Sequence, residues 1–160
     1  MYERILVPVD GSPTSRKGLA EAIALAKMAH ARVKLLHVFE MPLLGIGIEP
    51  ALMRGEDIYN LCRDAGRQVL AEAAESVKAA GLDVDEQLQE ADGKRLCDHV
   101  AEVASTWRAS LIVLGSHGRR GLQRVLLGSD AEQILRVAPV PVLLVRDGTV
   151  GPDAGERRAR

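Results

Sequence analysis

The chain has 160 residues, of which 47% are hydrophobic, 27% charged and only 2% aromatic, and its formal net charge is -1 at pH 7. This length predicts one domain with a substantial core, and the near-neutral charge gives no overall attraction to nucleic acid or anionic lipid. No apolar run is long enough to cross a bilayer, so we expect no membrane insertion. Cys62 and Cys97 have no metal or redox spacing, and the N-terminal stretch up to Asp10 is too short and too acidic for a signal peptide. Together these features predict a cytoplasmic protein.

The first third of the chain predicts a strand, a helix and a second strand. Residues 5–9 form a continuous apolar run, as expected for a strand that is buried on both faces of a parallel sheet. Ser12 precedes Pro13 and an amphipathic stripe, which predicts that Ser12 caps the first helix. Residues 33–39 are the next apolar run. The glycine-punctuated segment 40–55 then predicts a long loop that either folds over a ligand or joins a partner interface, and we favour the first.

The rest of the chain predicts three more helices and three more strands. The second helix has a stripe that predicts inward-facing Leu61 and Ala65, and Asp92 is the predicted cap of the third. In chain order the segments are helix 57–80, edge strand 84–90, a helix that ends near Trp107, strand 111–114, helix 129–137 and strand 140–145.

Alternating strands and helices predict a doubly wound α/β fold. We expect a single five-stranded parallel sheet of order 3-2-1-4-5 with helices on both faces, formed by residues 1–146, and a disordered tail over residues 147–160. Ligands of such sheets bind beyond the carboxyl ends of the strands, where the strand order reverses. Because strands one and four are neighbours there, Asp10 and Gly115 are predicted to lie on two sides of one crevice.

A glycine motif follows the fourth strand: Gly115-Ser116-His117-Gly118, nine further residues, then Gly128-Ser129 at the start of a helix. Glycines at a strand exit let backbone approach a ligand closely, and a helix N-terminus favours anions. The motif therefore predicts a phosphate site. It lacks the Lys-Ser/Thr pair of a Walker loop and the spacing of a dinucleotide fingerprint.

The motif spacing, the opening residues 4–12 and the closing residues 138–146 resemble the universal stress protein family, in its ATP-binding branch, over residues 2–146. The resemblance implies a bound adenine nucleotide, ATP or AMP, with Mg²⁺ accompanying the phosphates. It also implies a role for each matching position: Pro8, Val9 and Val38 frame the adenine, Asp10 reaches the ribose, Leu114 and Gly115 form the opposite wall, and Gly118, Gly128 and Ser129 hold the phosphates.

Three of these positions have alternative explanations. Asp10 precedes a glycine, where Asp is common as an Asx-turn residue, but its place at the switch point favours a ligand role. Ser129 and Glu132 have capping-box spacing, and we expect Ser129 both to cap the helix and to donate to phosphate. Asp130 favours the helix dipole but repels a phosphate, unless its carboxylate points away or shares Mg²⁺.

The motif also contains Ser116, His117 and Arg119, which complete the predicted cofactor-binding set. Arg119 is equally well explained as a bidentate phosphate ligand and as a solvated basic residue. His117 has no His, Cys or carboxylate at metal-ligand spacing, so we expect it to face solvent or the ribose. The protein itself is predicted to supply no metal site.

No pattern of catalytic residues for hydrolysis stands out, which favours binding over turnover. We therefore expect an adenine-nucleotide-binding regulatory protein of the stress response. A slow ATPase or phosphotransferase is one alternative, and a family member that works through protein contacts without nucleotide is another. The apolar last strand, residues 140–145, predicts a homodimer that pairs edge to edge, because an open apolar edge favours aggregation.

Overall fold

The computed structural model describes residues 2–41, 55–116 and 128–146 of the chain. These residues form five strands and four helices that alternate along the sequence. In chain order they are β1 Arg4–Pro8, α1 Pro13–Ala29, β2 Arg32–Phe39, α2 Gly55–Ala79, β3 Val84–Glu90, α3 Leu96–Thr106, β4 Leu111–Gly115, α4 Ser129–Val137 and β5 Val142–Val145.

All five strands are parallel and lie in the order β3-β2-β1-β4-β5. β1 is central: Ile5 pairs with Val33 of β2 on one side and with Leu111 of β4 on the other. The chain first builds outward to β3 and then crosses back to β4, so the strand order reverses between β1 and β4. This confirms the predicted doubly wound sheet and its switch point.

Helices cover both faces of the sheet and enclose two separate cores. Ile5 and Val7 face the first core, beneath α1 and α2, whereas Leu6 faces the second, beneath α3 and α4. All three side chains are 0% exposed. Successive side chains of a strand point to opposite faces, so a strand that is covered on both faces needs an unbroken apolar run.

Two local predictions about the helices are wrong. Leu61 and Ala65 of α2 are exposed, and the buried residues lie further along, from Gly66 to Val77. The N-cap of α3 is Arg95, and Asp98 completes the capping box by accepting from the Arg95 backbone N–H; Asp92 instead lies in a turn with φ of 47°.

The last strand is shorter than predicted. β5 begins at Val142, and Pro141 immediately precedes it, as a residue without an N–H should. Most of the predicted flap, residues 42–54, and the predicted tail, residues 147–160, lie outside the described residues. Within the described ranges, no helix combines the length and the apolar character that a membrane span requires.

Candidate functional site

The carboxyl ends of β1, β2 and β4 meet the N-terminus of α4 at the switch point. This arrangement gathers most of the site residues that the sequence indicates; His117, Gly118 and Arg119 lie outside the described residues. The predicted residues at this edge are Pro8, Val9 and Asp10 after β1, Val38 in β2, Leu114, Gly115 and Ser116 at the end of β4, and Gly128, Ser129 and Asp130 at α4.

Asp10 begins a tight turn between β1 and α1. Its carboxylate Oδ1 accepts a hydrogen bond of 2.9 Å from the Ser12 backbone N–H, and its own N–H donates to Ser15 Oγ at 3.2 Å. Gly11, between them, has φ of +77°, a conformation that favours glycine. The Asx turn is therefore present, and it fixes where the Asp10 side chain stands at the crevice.

A concavity of about 490 Å³ adjoins this turn on the side of α2. It is lined by the turn residues Asp10, Gly11, Ser12 and Pro13 and by the α2 residues Ala65, Gln68, Val69 and Glu72. No motif in the sequence indicates a contribution from α2, because its residues here show helical periodicity alone. A smaller hollow, of about 340 Å³, lies at the opposite edge of the sheet, away from the predicted site residues.

At Val38 of β2, the backbone N–H and C=O point toward the switch point. The carbonyl of Leu36 faces β1, since it accepts a 2.8 Å hydrogen bond from the N–H of Val9, whereas the carbonyl of Phe39 faces β3, since it accepts from Ala91. Peptide groups of successive strand residues face opposite sides, so the N–H and C=O of Val38 face the β1 side. There β1 has already ended, at Pro8.

His37 occupies the position beside Val38. Its Nδ1 is 2.7 Å from the carbonyl oxygen of Val9, and the side chain is buried. The carbonyl can only accept, so Nδ1 donates the hydrogen bond. From the sequence alone His37 is expected to be a packing or surface residue, because a single histidine in an apolar strand carries no spacing signal.

The N-terminus of α4 differs from that of α1. α1 begins with Pro13, which has no N–H, and the Ser12 hydroxyl accepts from the Ser15 N–H at 3.1 Å. At α4 the N-cap is Gly128, and none of the described side chains caps the helix. The first backbone N–H groups of a helix lack intrahelical partners, so α4 presents more donors at the crevice than α1 does.

The predicted capping box of Ser129 and Glu132 is wrong. Ser129 is the first helical residue and its side chain is exposed. The Glu132 carboxylate instead bonds Arg136 at 2.7 Å, one turn further along. Asp130 is exposed in the same first turn and places a negative charge beside the helix N-terminus.

Side-chain packing and two backbone hydrogen bonds hold the end of β4 in place. Leu114 is buried in the second core. The backbone N–H of Ser116 donates to Val145, and its carbonyl accepts a 2.9 Å bond from the Gly128 N–H. That last bond joins the first segment of the glycine motif, at Ser116, to its second segment, at Gly128.

Chemically, this edge offers backbone donors, backbone acceptors and carboxylates. No group of three or more His, Cys, Asp or Glu that could hold a metal occurs within the described parts of the chain. At the start of α3, hydrogen bonds from Arg95 lower the pKa of Asp98, and burial raises the pKa of the Cys97 thiol. The groups at the switch point can bind a ligand that carries both hydrogen-bond donors and acceptors.

A doubly wound α/β domain with a ligand crevice at its switch point is the class of protein that this fold and site define. The profile of the Universal stress protein family matches residues 1–146. The chain belongs to that family, which confirms the resemblance seen in the sequence.

Similarity to individual proteins agrees with this assignment. The chain is 32% identical to universal stress protein MJ0531 of Methanocaldococcus jannaschii over 147 residues, which cover 91% of this chain and 83% of that protein. It is also similar to a universal stress protein from Archaeoglobus fulgidus in complex with dAMP, at 25% identity and a TM-score of 0.64, covering 90% and 98% of the two chains. A universal stress protein in complex with cAMP gives 25% identity and a TM-score of 0.65, covering 90% and 97%.

Proposed function

We propose that this chain binds an adenine nucleotide, ATP or AMP, at the switch-point crevice and acts as a regulatory protein of the stress response in the cytoplasm. The observation that carries the proposal is the direction of the Val38 peptide groups. Adenine places a ring-nitrogen acceptor beside its 6-amino donor. A backbone N–H and C=O that face the same gap complement that pair.

The phosphates would lie at the N-terminus of α4. Its first-turn N–H groups and the exposed Ser129 hydroxyl are donors, and the helix dipole favours an anion there. Asp130 opposes this attraction. Mg²⁺ bound to the phosphates would offset the repulsion, so we expect affinity for ATP to depend on Mg²⁺ more than affinity for AMP does.

The comparisons support the adenosine part of the proposal. Two structurally similar members of the family are complexes with cAMP and with dAMP. Both ligands contain adenine, a sugar and one phosphate, and the crevice offers one element for each: Val38 for the base, Asp10 for the sugar and α4 for the phosphate.

The experiment that tests the proposal is isothermal titration of the purified protein with ATP, AMP and GTP, with and without Mg²⁺. Ser129→Ala should weaken binding of both adenine nucleotides by about tenfold or more, the effect of one hydrogen bond to a charged group. Ser105→Ala is the matched control, because Ser105 is also an exposed helical serine and lies on α3. Absence of binding would favour a family member that works through protein contacts alone, whereas steady multiple turnover of ATP would favour the enzyme.

We propose also that the chain forms a homodimer through β5. This strand pairs with β4 on one side only among the described strands, and its Leu143 is 37% exposed. Leu135 and Val137 of the adjacent α4 are exposed apolar residues as well. A twofold mate could pair with the edge of β5 and cover these side chains, which removes an aggregation hazard.

A further inference from the structure

His37 and the two peptide groups beside it form an arrangement that a regular sheet would not contain. The imidazole is 5% exposed and lies beneath α2. Gly66 of α2 makes room for it, because a Cβ on Gly66 would stand 2.8 Å from Cδ2 of the ring. From this position Nδ1 donates to the carbonyl of Val9 at 2.7 Å.

A regular parallel ladder would use that carbonyl differently. The N–H of Val9 bonds to the carbonyl of Leu36. The next hydrogen bond of the ladder, which we call a rung, would run from the N–H of Val38 to the carbonyl of Val9. The strand pairing instead ends at Pro8 and Leu36, and Val9 is outside the strand. The described structure has no hydrogen bond between the Val38 N–H and Val9.

We propose that His37 is a positioning residue for adenine recognition. By donating to the carbonyl of Val9, His37 draws this carbonyl toward the α2 face of the sheet and away from the position in which the Val38 N–H would meet it. The Val38 N–H is thereby left directed at the crevice, where it bonds the ring nitrogen of the base. The inference rests on the proposed function for its ligand. Its structural part, the interrupted rung between β1 and β2, is independent of any nucleotide.

The test compares His37→Phe, which removes the donor, with His37→Asn, whose side-chain N–H can replace Nδ1. Amide hydrogen exchange on the ligand-free proteins is the first measurement. In His37→Phe the Val38 N–H should complete the missing rung and exchange about tenfold more slowly than in the wild type, whereas His37→Asn should behave as the wild type. Equal exchange of Val38 in all three proteins would overturn the inference and leave the proposed function intact.

The second measurement is titration with AMP, 1-deaza-AMP and 7-deaza-AMP, which each lack one ring nitrogen beside the 6-amino group. One analogue should bind the wild type and His37→Asn about three- to tenfold more weakly than AMP. In His37→Phe that preference should disappear, because the Val38 N–H is then no longer available to bond the ring nitrogen of AMP. A preference that persists in His37→Phe, or no preference in the wild type, refutes the role of His37. Failure of the wild type to bind AMP refutes the proposed function instead.

His37→Phe could affect the fold, so Gly66→Ala is a second variant that keeps the imidazole. A Cβ at this position would stand 2.8 Å from Cδ2 of the ring and 2.8 Å from Cδ1 of Leu88. Displacement of the ring should give the same slowed exchange of Val38 and the same lost preference. Thermal unfolding of each variant identifies any that is not folded. A folded Gly66→Ala protein with wild-type exchange and wild-type preference would contradict the inference.

Discussion

Gly115 at the end of β4 lies directly against the first turn of α1: a Cβ on Gly115 would stand 2.6 Å from the carbonyl oxygen of Thr14. A second glycine of the same contact, Gly18, approaches the backbone of Gly115 from α1, and a Cβ on Gly18 would stand 3.0 Å from the Gly115 nitrogen. The glycine that begins the motif after β4 thus also allows α1 to pack on the sheet. Asp10 lies in the turn that leads into α1. The packing of α1 on the sheet therefore also holds Asp10 at the crevice.

Gly115→Ala should therefore reduce stability. The new methyl group meets backbone rather than a mobile side chain, so α1 or β4 must shift, and overpacking of this kind costs about 1–3 kcal/mol. Urea unfolding measures the change in the free energy of unfolding. Gly55→Ala is the control, because among the described residues no atom outside its own helix backbone and chain neighbours lies within 4 Å of the corresponding Cβ. Equal stability of both variants would show that the contact is not tight in solution.

Asp130→Asn should strengthen ATP binding in the absence of Mg²⁺. Removal of one negative charge near the phosphates is expected to raise affinity by about two- to fivefold, the size of a solvent-screened charge interaction at short range. The effect on AMP should be smaller because AMP carries less charge. Titration in the presence of a chelator measures it.

Glu132→Gln is the control for Asp130→Asn. Glu132 lies in the same first turn, but Arg136 bonds its carboxylate at 2.7 Å and offsets its charge. Its substitution should therefore change ATP affinity less. Weaker ATP binding by Asp130→Asn in the chelator would mean that the carboxylate itself contributes to the site.

Leu143→Lys should convert a dimer to a monomer. The substitution places a charge on the exposed face of β5, where edge pairing with a second copy would have to bury it. Light scattering measures the mass in solution. Met28→Lys, at an apolar residue that is 79% exposed on α1, is the control and should leave the mass unchanged. A wild-type dimer that persists in Leu143→Lys would place the interface elsewhere.

Asp98→Asn should reduce the dependence of stability on acid pH. Hydrogen bonds from Arg95 lower the pKa of Asp98 in the folded chain. The stability that the ionised carboxylate contributes is therefore fully present when the pH is above the pKa that Asp98 has in the unfolded chain. The contribution disappears as the pH falls through the lower, folded pKa. Thermal unfolding between neutral and acid pH should show a smaller loss for Asp98→Asn than for the wild type. Glu102→Gln, which removes an exposed carboxylate paired with Lys94, serves as control.

The sheet could be predicted from the sequence because its central strands are covered on both faces. The unbroken apolar runs at 5–9 and 111–114 follow directly from that burial. The alternation of strands and helices then determined the strand order and the switch point. The positions of Asp10 and Gly115 at one edge followed from the order alone, since every strand of a parallel sheet ends on the same side.

The inward face of α2 could not be predicted in the same way. α2 has 25 residues and is about 37 Å long, whereas β2, on which it packs, has 8 residues and spans about 26 Å. The N-terminal part of the helix therefore extends past the end of the sheet. Leu61 and Ala65 continue the apolar stripe but have no strand beneath them, so periodicity predicted burial where the sheet had ended.

The direction of the Val38 peptide groups and the hydrogen bond of His37 could not be predicted from the sequence, for a different reason. Both depend on the direction of a peptide group at the place where one strand ends before its neighbour. Side-chain identity carries no information about that direction. The hydrogen bond from His37 to Val9 becomes visible only when the ends of β1 and β2 are placed side by side.

The hydrogen bond between Ser116 and Gly128 joins the end of β4 to the start of α4 through backbone atoms alone, at 2.9 Å. Gly128 has φ of −60° and ψ of 144°, a conformation that residues of any type adopt. Neither the bond nor the backbone conformation therefore requires glycine at this position. What glycine contributes is the absence of a side chain, which leaves the first N–H groups of α4 open to an approaching group.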